Sequence, residues 1–460
     1  MDRFLFYSVL ATITLVALPL GSNRPWAWSL LELTIFGIGI VFASCKMLQA
    51  KRRAKREIYS ISISPLIVPA FVLLQVFVLI QLIPLPTALF EQIAYSSSIW
   101  ADFGHPTNTI SVDIGQTQVH LLKGIAYTTF VWLLIKMVDT EEKLLQLAYA
   151  VFLAGLIQAS YACIENLLSW ETGLVFDIAN SDRADGSFIY HNHLANYVLL
   201  TASIGIGLLI GQFKNKELRG RSKTLMARTA NFLLSNKFII RGGLVVMIIA
   251  LILTKSRMGN AGFFAAIAMV SVYALFFYKG RPKAFTFLII SFFVLDLIIV
   301  GTVFGVDKVK QRMQETSFAS EARDDVVIDG LNMLENTPAL GTGAGTFYST
   351  FPMFQSYVYH AFYDHAHNDY LQFVMEFGWG FSIVALILIF HALWQALKSV
   401  RFTKGRKLKA LSFGSATAII GMLFHSTVDF SLQAPANAII FLTILVISWK
   451  SYARLKELNS

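Results

Sequence analysis

Charge is what this chain has least of. Only 14% of its 460 residues are Asp, Glu, Lys or Arg, against 55% hydrophobic, and the mean hydropathy is +0.60. That balance excludes an ordinary soluble domain, in which about a quarter of residues are charged. In a soluble protein the net charge of +10 would point to nucleic acid. Here the basic residues gather in short loops between apolar runs, where they set topology and hold anionic lipid, so no nucleic-acid partner is expected. Cysteine is nearly absent. Cys45 and Cys163 fall on opposite sides of the membrane in the topology below, which argues against a disulfide. No small-residue cleavage site follows the apolar run that ends at Leu20, so that run reads as a retained first helix and not a signal peptide. Tandem repeats and low-complexity segments are missing too, which leaves one membrane domain over residues 1–460.

What the chain has in abundance is apolar runs long enough to cross a hydrocarbon core of about 30 Å. They fall at residues 4–20, 26–48, 65–83, 119–137, 144–163, 193–210, 238–253, 258–278, 284–304, 370–397, 411–425 and 436–449. The pattern predicts an all-α, polytopic membrane protein of about twelve transmembrane helices. The basic runs 51–56, 214–237, 279–283 and 398–409 then all fall on one side. By the positive-inside rule that side is cytoplasmic, and both termini lie there. On the outer side, residues 109–114 alternate like a short strand. The longest polar stretch, within residues 305–369, is a partly helical outer loop, with an amphipathic helix over 324–334 stopped by Asn336-Thr337-Pro338.

That loop ends in Tyr363-Asp364-His365-Ala366-His367-Asn368-Asp369-Tyr370-Leu371, where a polar segment meets an apolar span. Ionisable groups at that depth are costly unless they have partners or a function. The other outward-facing ionisable groups are Arg183, Lys255, Arg257, Arg312, Arg323, His360, His425 and Asp429. Lys255 and Arg257 sit on the tip of a tight hairpin, and Arg323 precedes the loop helix. Guanidinium forks bind phosphate oxygens bidentately, so these cations suit a diphosphate headgroup; the plain alternative is anchoring to lipid phosphates.

His365 and His367 share a face on a strand but not on a helix. A neutral imidazole there could take a proton from a hydroxyl. A metal would need further ligands such as Asp364 and Asp369, and the spacing matches no zinc pattern, so none is expected. Asn368 is placed to cap the helix that follows. The run Gly341-Thr342-Gly343-Ala344-Gly345-Thr346-Phe347 lacks the Lys and Ser/Thr of a phosphate-binding loop, so its glycines serve tight turning. His425 and Asp429 are spaced to pair on a helix, a supporting role. His191-Asn192-His193 opens a span, with packing and capping as its first duty and a minor share in the pocket for His193.

Taken together these pieces resemble the O-antigen ligase and O-antigen polymerase family. The matching residues are Phe188-Ile189-Tyr190-His191-Asn192-His193-Leu194-Ala195, Lys255-Ser256-Arg257, Arg323, Pro338-Ala339-Leu340-Gly341-Thr342-Gly343, His365-Ala366-His367-Asn368-Asp369-Tyr370-Leu371-Gln372, Glu376-Phe377-Gly378 and His425-Ser426-Thr427-Val428-Asp429-Phe430. The resemblance implies a C-type glycosyltransferase fold in the bacterial inner membrane, with the active site on the periplasmic loop and no cofactor. It implies a donor glycan on undecaprenyl diphosphate, His367 as the catalytic histidine with His365 beside it, and Arg257 and Arg323 on the diphosphate. The acceptor is a lipid A-core sugar in a ligase, a second lipid-linked glycan in a polymerase, or a protein hydroxyl in some relatives. A flippase or transporter is the reading from another class, and it would place several ionisable groups at mid-depth instead of at one face.

The sidedness is directly testable. In a background without Cys45 and Cys163, cysteines placed at Ser317 and Ser222 should react with an impermeant maleimide from the outer and inner face respectively; labelling of both from one face overturns the topology.

Overall fold

A computed structural model of the chain describes residues 1–52, 64–94, 108–173, 175, 176, 182–212, 236–278, 286, 287, 290, 291, 318–337, 339–359 and 362–459. Among these the ordered elements are helical, with no strand. In chain order they are α1 (Asp2–Leu15), α2 (Pro25–Arg52), α3 (Ile67–Leu82), α4 (Thr87–Ala94), α5 (Ile114–Met137), α6 (Glu141–Leu167) and α7 (His191–Gly211). Then follow α8 (Asn236–Leu253), α9 (Arg257–Phe277), α10 (Phe318–Glu335), α11 (Asp369–Phe402), α12 (Arg406–His425) and α13 (Pro435–Asn459). The expected all-α, polytopic membrane architecture is what the chain has. Eight of these helices are long and apolar enough to cross a membrane by length and composition. Three more expected spans form shorter helices, α1 with 14 residues, α3 with 16 and α8 with 18. The twelfth, residues 284–304, lies almost wholly outside the described residues, as do the basic runs 53–56, 214–235 and 279–283.

The bundle is built around α7, every residue of which is buried from Asn192 to Gly211. It packs most extensively on α12, with α6, α8, α9 and α13 around it. Glycines set that closeness: a Cβ on Gly207 would lie 2.7 Å from the Ala410 carbonyl, and one on Gly414 would meet the Ser203 carbonyl at 2.5 Å. Small residues let two helix backbones approach in a bilayer, where apolar burial gives no drive of its own.

One end of the bundle is stitched by Lys46 to Asp2 at 2.8 Å, Lys143 to Asp139 at 2.8 Å, and Arg401 over the Phe277 ring at 5.0 Å. The loops that carry the candidate residues lie at the other end. There a second, smaller core forms from Val326 and Met333 of α10, Phe347, Phe351, Tyr359, Ala366, and Leu371 and Met375 of α11. The loop helix is longer than its amphipathic pattern predicts, starting at Phe318.

The expected strand at residues 109–114 does not form. Thr109, Ile110, Ser111 and Val112 are all buried, so the alternation does not separate an inner face from an outer one. Ser111 N–H donates to the Gln81 carbonyl (2.9 Å) and Val112 N–H to the Thr342 carbonyl (2.8 Å), two different segments and no ladder. Asp113 then caps α5, its Oδ1 accepting from Gln116 N–H at 3.0 Å.

Candidate functional site

The glycine-rich run is the platform under the site. α11 is interrupted at Gly378, whose φ of 81° no helix interior allows. The break leaves the carbonyls of Met375 and Glu376 without their usual helical donors. Thr342 N–H takes the first at 2.8 Å and Gly343 N–H the second at 3.1 Å, while Trp379 N–H donates to Ala339 O at 3.0 Å. Gly341, Gly343 and Gly345 have φ of 79°, 113° and 78°, which lets the chain turn this closely on the helix. Those N–H groups are spent on α11, as the tight-turn reading requires. Gln81 at the end of α3 completes the junction: its Nε2 donates to the carbonyls of Leu340 (2.7 Å) and Glu376 (2.8 Å), and its Oε1 accepts from Ala344 N–H (3.1 Å).

Above this platform three imidazoles converge on one benzene ring. Phe430 stacks on His365 (centroids 4.4 Å apart, planes 23°) and on Tyr190 (5.5 Å, 12°). Its other contacts are edge-on, to His193 at 4.8 Å and to His367 at 4.8 Å. Tyr363 closes on His367 at 5.8 Å. Aromatic pairs at such distances and angles add about 0.5–1.5 kcal/mol each beyond area burial. Phe430 itself is presented by Asp429, whose Oδ1 accepts from Phe430 N–H at 2.8 Å. His365 is set by Gln372, whose Nε2 lies 2.9 Å from His365 Nδ1. Burial keeps His365 below the usual imidazole range, against the opposing pull of the Asp364 carboxylate, so the ring stays neutral at pH 7. His367 is neither on a strand nor on a helix: its φ is 50°, in the left-handed region.

The supporting residues hold this corner together. Asn368 caps α11, its Oδ1 accepting from Leu371 N–H (3.1 Å) and its Nδ2 donating to Thr427 O (3.1 Å). Asp369 is buried, its Oδ2 accepting from Ser426 Oγ (2.9 Å) and Leu432 N–H (3.3 Å). α12 ends at His425, so the helical spacing expected to pair His425 with Asp429 does not exist; His425 Nδ1 meets Ser431 Oγ at 3.1 Å instead.

The cationic tip lies between α8 and α9. Lys255 turns the corner with φ 51°, and Ser256 caps α9 through Gly259 N–H at 3.1 Å. Arg257 is exposed at the first position of α9. A cation there opposes the helix dipole by about 0.3–1 kcal/mol, so stability does not explain it. Lys255 donates to Asp182 at 2.9 Å, which holds that carboxyl below the usual range. Arg183 Nη1 donates to His191 Nε2 at 2.9 Å, and Ala184 N–H to Leu253 O at 3.0 Å. Residues 182–190 thus run from the tip to Tyr190 in the histidine cluster. Behind them a polar cavity of about 400 Å³ is lined by Glu165, Asp182, Arg183 and Asp185 among others, and burial with the Glu165 carboxylate pushes Asp185 up to about 7.

Of the sequence candidates, His193, His365 and His367 come together and Lys255 with Arg257 forms the tip. Arg323 belongs to α10, but its side chain, with Arg312 and His360, lies outside the described residues. Sequence reasoning missed Tyr190 and Phe430 as the ring platform, although both lie within quoted motifs. It gave no role to Gln372 and Glu376, which also lie within quoted motifs, and missed Gln81 and Asp182 altogether. A second cavity, of about 180 Å³ and mainly apolar, is lined from α3, α5, α11 and α13, with His120 at its polar side.

These features define a polytopic all-α membrane protein with an imidazole cluster and a cationic tip at one end of the bundle. Residues 242–390, from α8 to the middle of α11, match the family described as O-Antigen ligase. That match supports an O-antigen ligase-type membrane glycosyltransferase. No curated protein matches the chain.

The platform can be tested by stability. Phe430→Ala should cost about 3–5 kcal/mol, the usual scale for a buried Phe, read as a lower thermal midpoint in detergent. Val428→Ala, at an exposed neighbour, should leave the midpoint unchanged.

Proposed function

We propose that the protein transfers a glycan from undecaprenyl diphosphate to an acceptor hydroxyl at the periplasmic face of the bacterial inner membrane. The observation that carries this reading is the joining of two chemistries by residues 182–190, a cationic tip at one end and three imidazoles on Phe430 at the other. The family match spans the tip, α10, the glycine run and both histidines of the His365–His367 pair.

In this mechanism the acceptor hydroxyl oxygen attacks the anomeric carbon from the face opposite the diphosphate. The bond from that carbon to the diphosphate oxygen breaks, with inversion, and His367 takes the hydroxyl proton. Diphosphate is already a good leaving group, so the enzyme has to supply charge stabilisation, a base and positioning, and no metal is required. Arg257 and Lys255, at the positive end of α9, take the charge that develops on the departing diphosphate; the family resemblance gives Arg323 the same role. The acceptor is a lipid A-core sugar in the ligase reading and a second lipid-linked glycan in the polymerase reading. The apolar cavity beside His120 gives a lipid-borne substrate room for part of its chain within the bundle.

Two measurements test the assignment. In membranes carrying the chain, Arg257→Lys should lose most transfer activity at normal expression, because an ammonium does not reproduce bidentate phosphate contact; near-normal transfer by Arg257→Ala reduces this residue to an anchor.

For the base, His367→Ala should fall roughly a hundredfold or more in rate with lipid-linked donor still bound. His365→Ala should be milder, and chelator should leave the wild type active. Reversed histidine phenotypes move the base to His365, and loss of activity in chelator brings back a metal.

A further inference from the structure

Gln372 and Glu376 lie one turn apart on α11, each only 1% exposed. Gln372 Oε1 accepts from Ala366 N–H at 3.1 Å. A backbone N–H can only donate, so this contact fixes which end of the amide is oxygen. The nitrogen end then makes the two remaining contacts, to Glu376 Oε1 at 3.1 Å and to His365 Nδ1 at 2.9 Å. Glu376 Oε1 also accepts from Phe347 N–H at 3.1 Å, which locks the carboxylate in place. Both amide hydrogens are therefore committed, one to a carboxylate and one to the imidazole. A ring nitrogen that receives an N–H must offer a lone pair, so Nδ1 of His365 carries no proton.

We propose that Glu376 and Gln372 act as positioning residues that hold His365 as its neutral Nε2–H tautomer, making that ring a hydrogen-bond donor to a substrate oxygen and leaving proton acceptance to His367. Nε2 is open to such a partner. Its nearest acid, Asp364 Oδ2, is 3.9 Å away, beyond a hydrogen bond, and the side chain is 23% exposed. The Phe430 ring on its face keeps the imidazole from turning. A preorganised N–H aimed at an oxygen that gains charge is worth more than the same group in water, because it needs no reorientation during the reaction. The sequence favours His367 as the base with His365 beside it; the Gln372 amide, held between the 365–366 loop and Glu376, gives the second ring a different role. That the oxygen belongs to a transferase substrate rests on the function proposed above, whereas the tautomer does not.

The test is ¹⁵N NMR of the full chain, labelled at histidine and reconstituted in nanodiscs without substrate, with the His365 signals identified by their loss in His365→Gln. The wild type is expected to show an unprotonated Nδ1 and a protonated Nε2; a protonated Nδ1 or an averaged pair overturns the proposal. Gln372→Glu keeps the side-chain length but offers a carboxylate acceptor, so the proton should move to Nδ1 and reverse the ¹⁵N pattern. In the same variant kcat should drop roughly tenfold or more, with KM for donor lipid little changed. An unreversed pattern in a folded Gln372→Glu protein overturns the relay, and if that variant does not fold, the wild-type spectrum decides alone. Absence of any transfer activity would sink the function and leave the spectrum to be judged separately.

Discussion

A buried aspartic acid side chain closes one end of the bundle. Asp369 is the first residue of α11 and only 1% exposed, yet its Oδ2 accepts from Ser426 and from Leu432 N–H, while its own N–H donates to the carbonyls of Ser426 and Asp429. These bonds pin the start of α11 to the turn between α12 and α13. That turn carries Phe430, and the residues just before α11 carry His365 and His367. The register of imidazoles on the ring therefore depends on one acid whose hydrogen bonds are made almost entirely to polar groups of a neighbouring turn. Leaving such an acid unpaired in this setting would cost more than any of its bonds returns, so the corner holds together as a unit.

Two of the residues that matter most are held in backbone conformations that side chains ordinarily avoid. Lys255 and His367 have φ of 51° and 50°. Each costs about 1–3 kcal/mol unless the surroundings over-determine it. The surroundings do so here: Thr254, Ser256 and Asn260 cross-bond the hairpin tip, and Gln372 with Asn368 brackets the histidines. Asp182 offsets one of the two cations at the positive end of α9. Strain and like charge are thus concentrated at the hairpin tip and the histidine corner, and are compensated by neighbouring side chains.

What was legible in the sequence follows from what is local. Apolar runs, the capping Asn368, the Thr254-to-Arg257 tip and the helix before Asn336 rest on periodicity and on chemistry within a few residues, and their positions read nearly true. Phe430 could not be picked from the 38 phenylalanines of an apolar chain, because its role is created by two other segments, residues 190–193 and 365–367, closing on it. Gln81 and Gln372 look like stray polar residues in spans until the partners near residues 340 and 366 arrive. Residues 109–112 misled for the same reason. A period of two announces a strand only when one face meets solvent, and here every side is covered. The break at Gly378 was hidden too, since a glycine or two in an apolar run is ordinary until the glycine-rich segment takes up the carbonyls it releases.

The encasement of α7 imposes an order of manufacture. Its main neighbour, α12, leaves the ribosome only after the whole of α8 to α11 has been made. Until then α7 must reside in lipid with faces it will later hide, so its leucines and isoleucines on every side serve the nascent chain as much as the finished protein. The glycines that meet Ala410 and Ser203 form a late joint, closed when the second helix arrives. The loop that bears His365 and His367 is translated before the turn that bears Phe430, so the histidine corner waits for nearly the last span to be inserted. A chain truncated before Phe430 would carry the family-matched segment and both histidines in the membrane and yet have no assembled site.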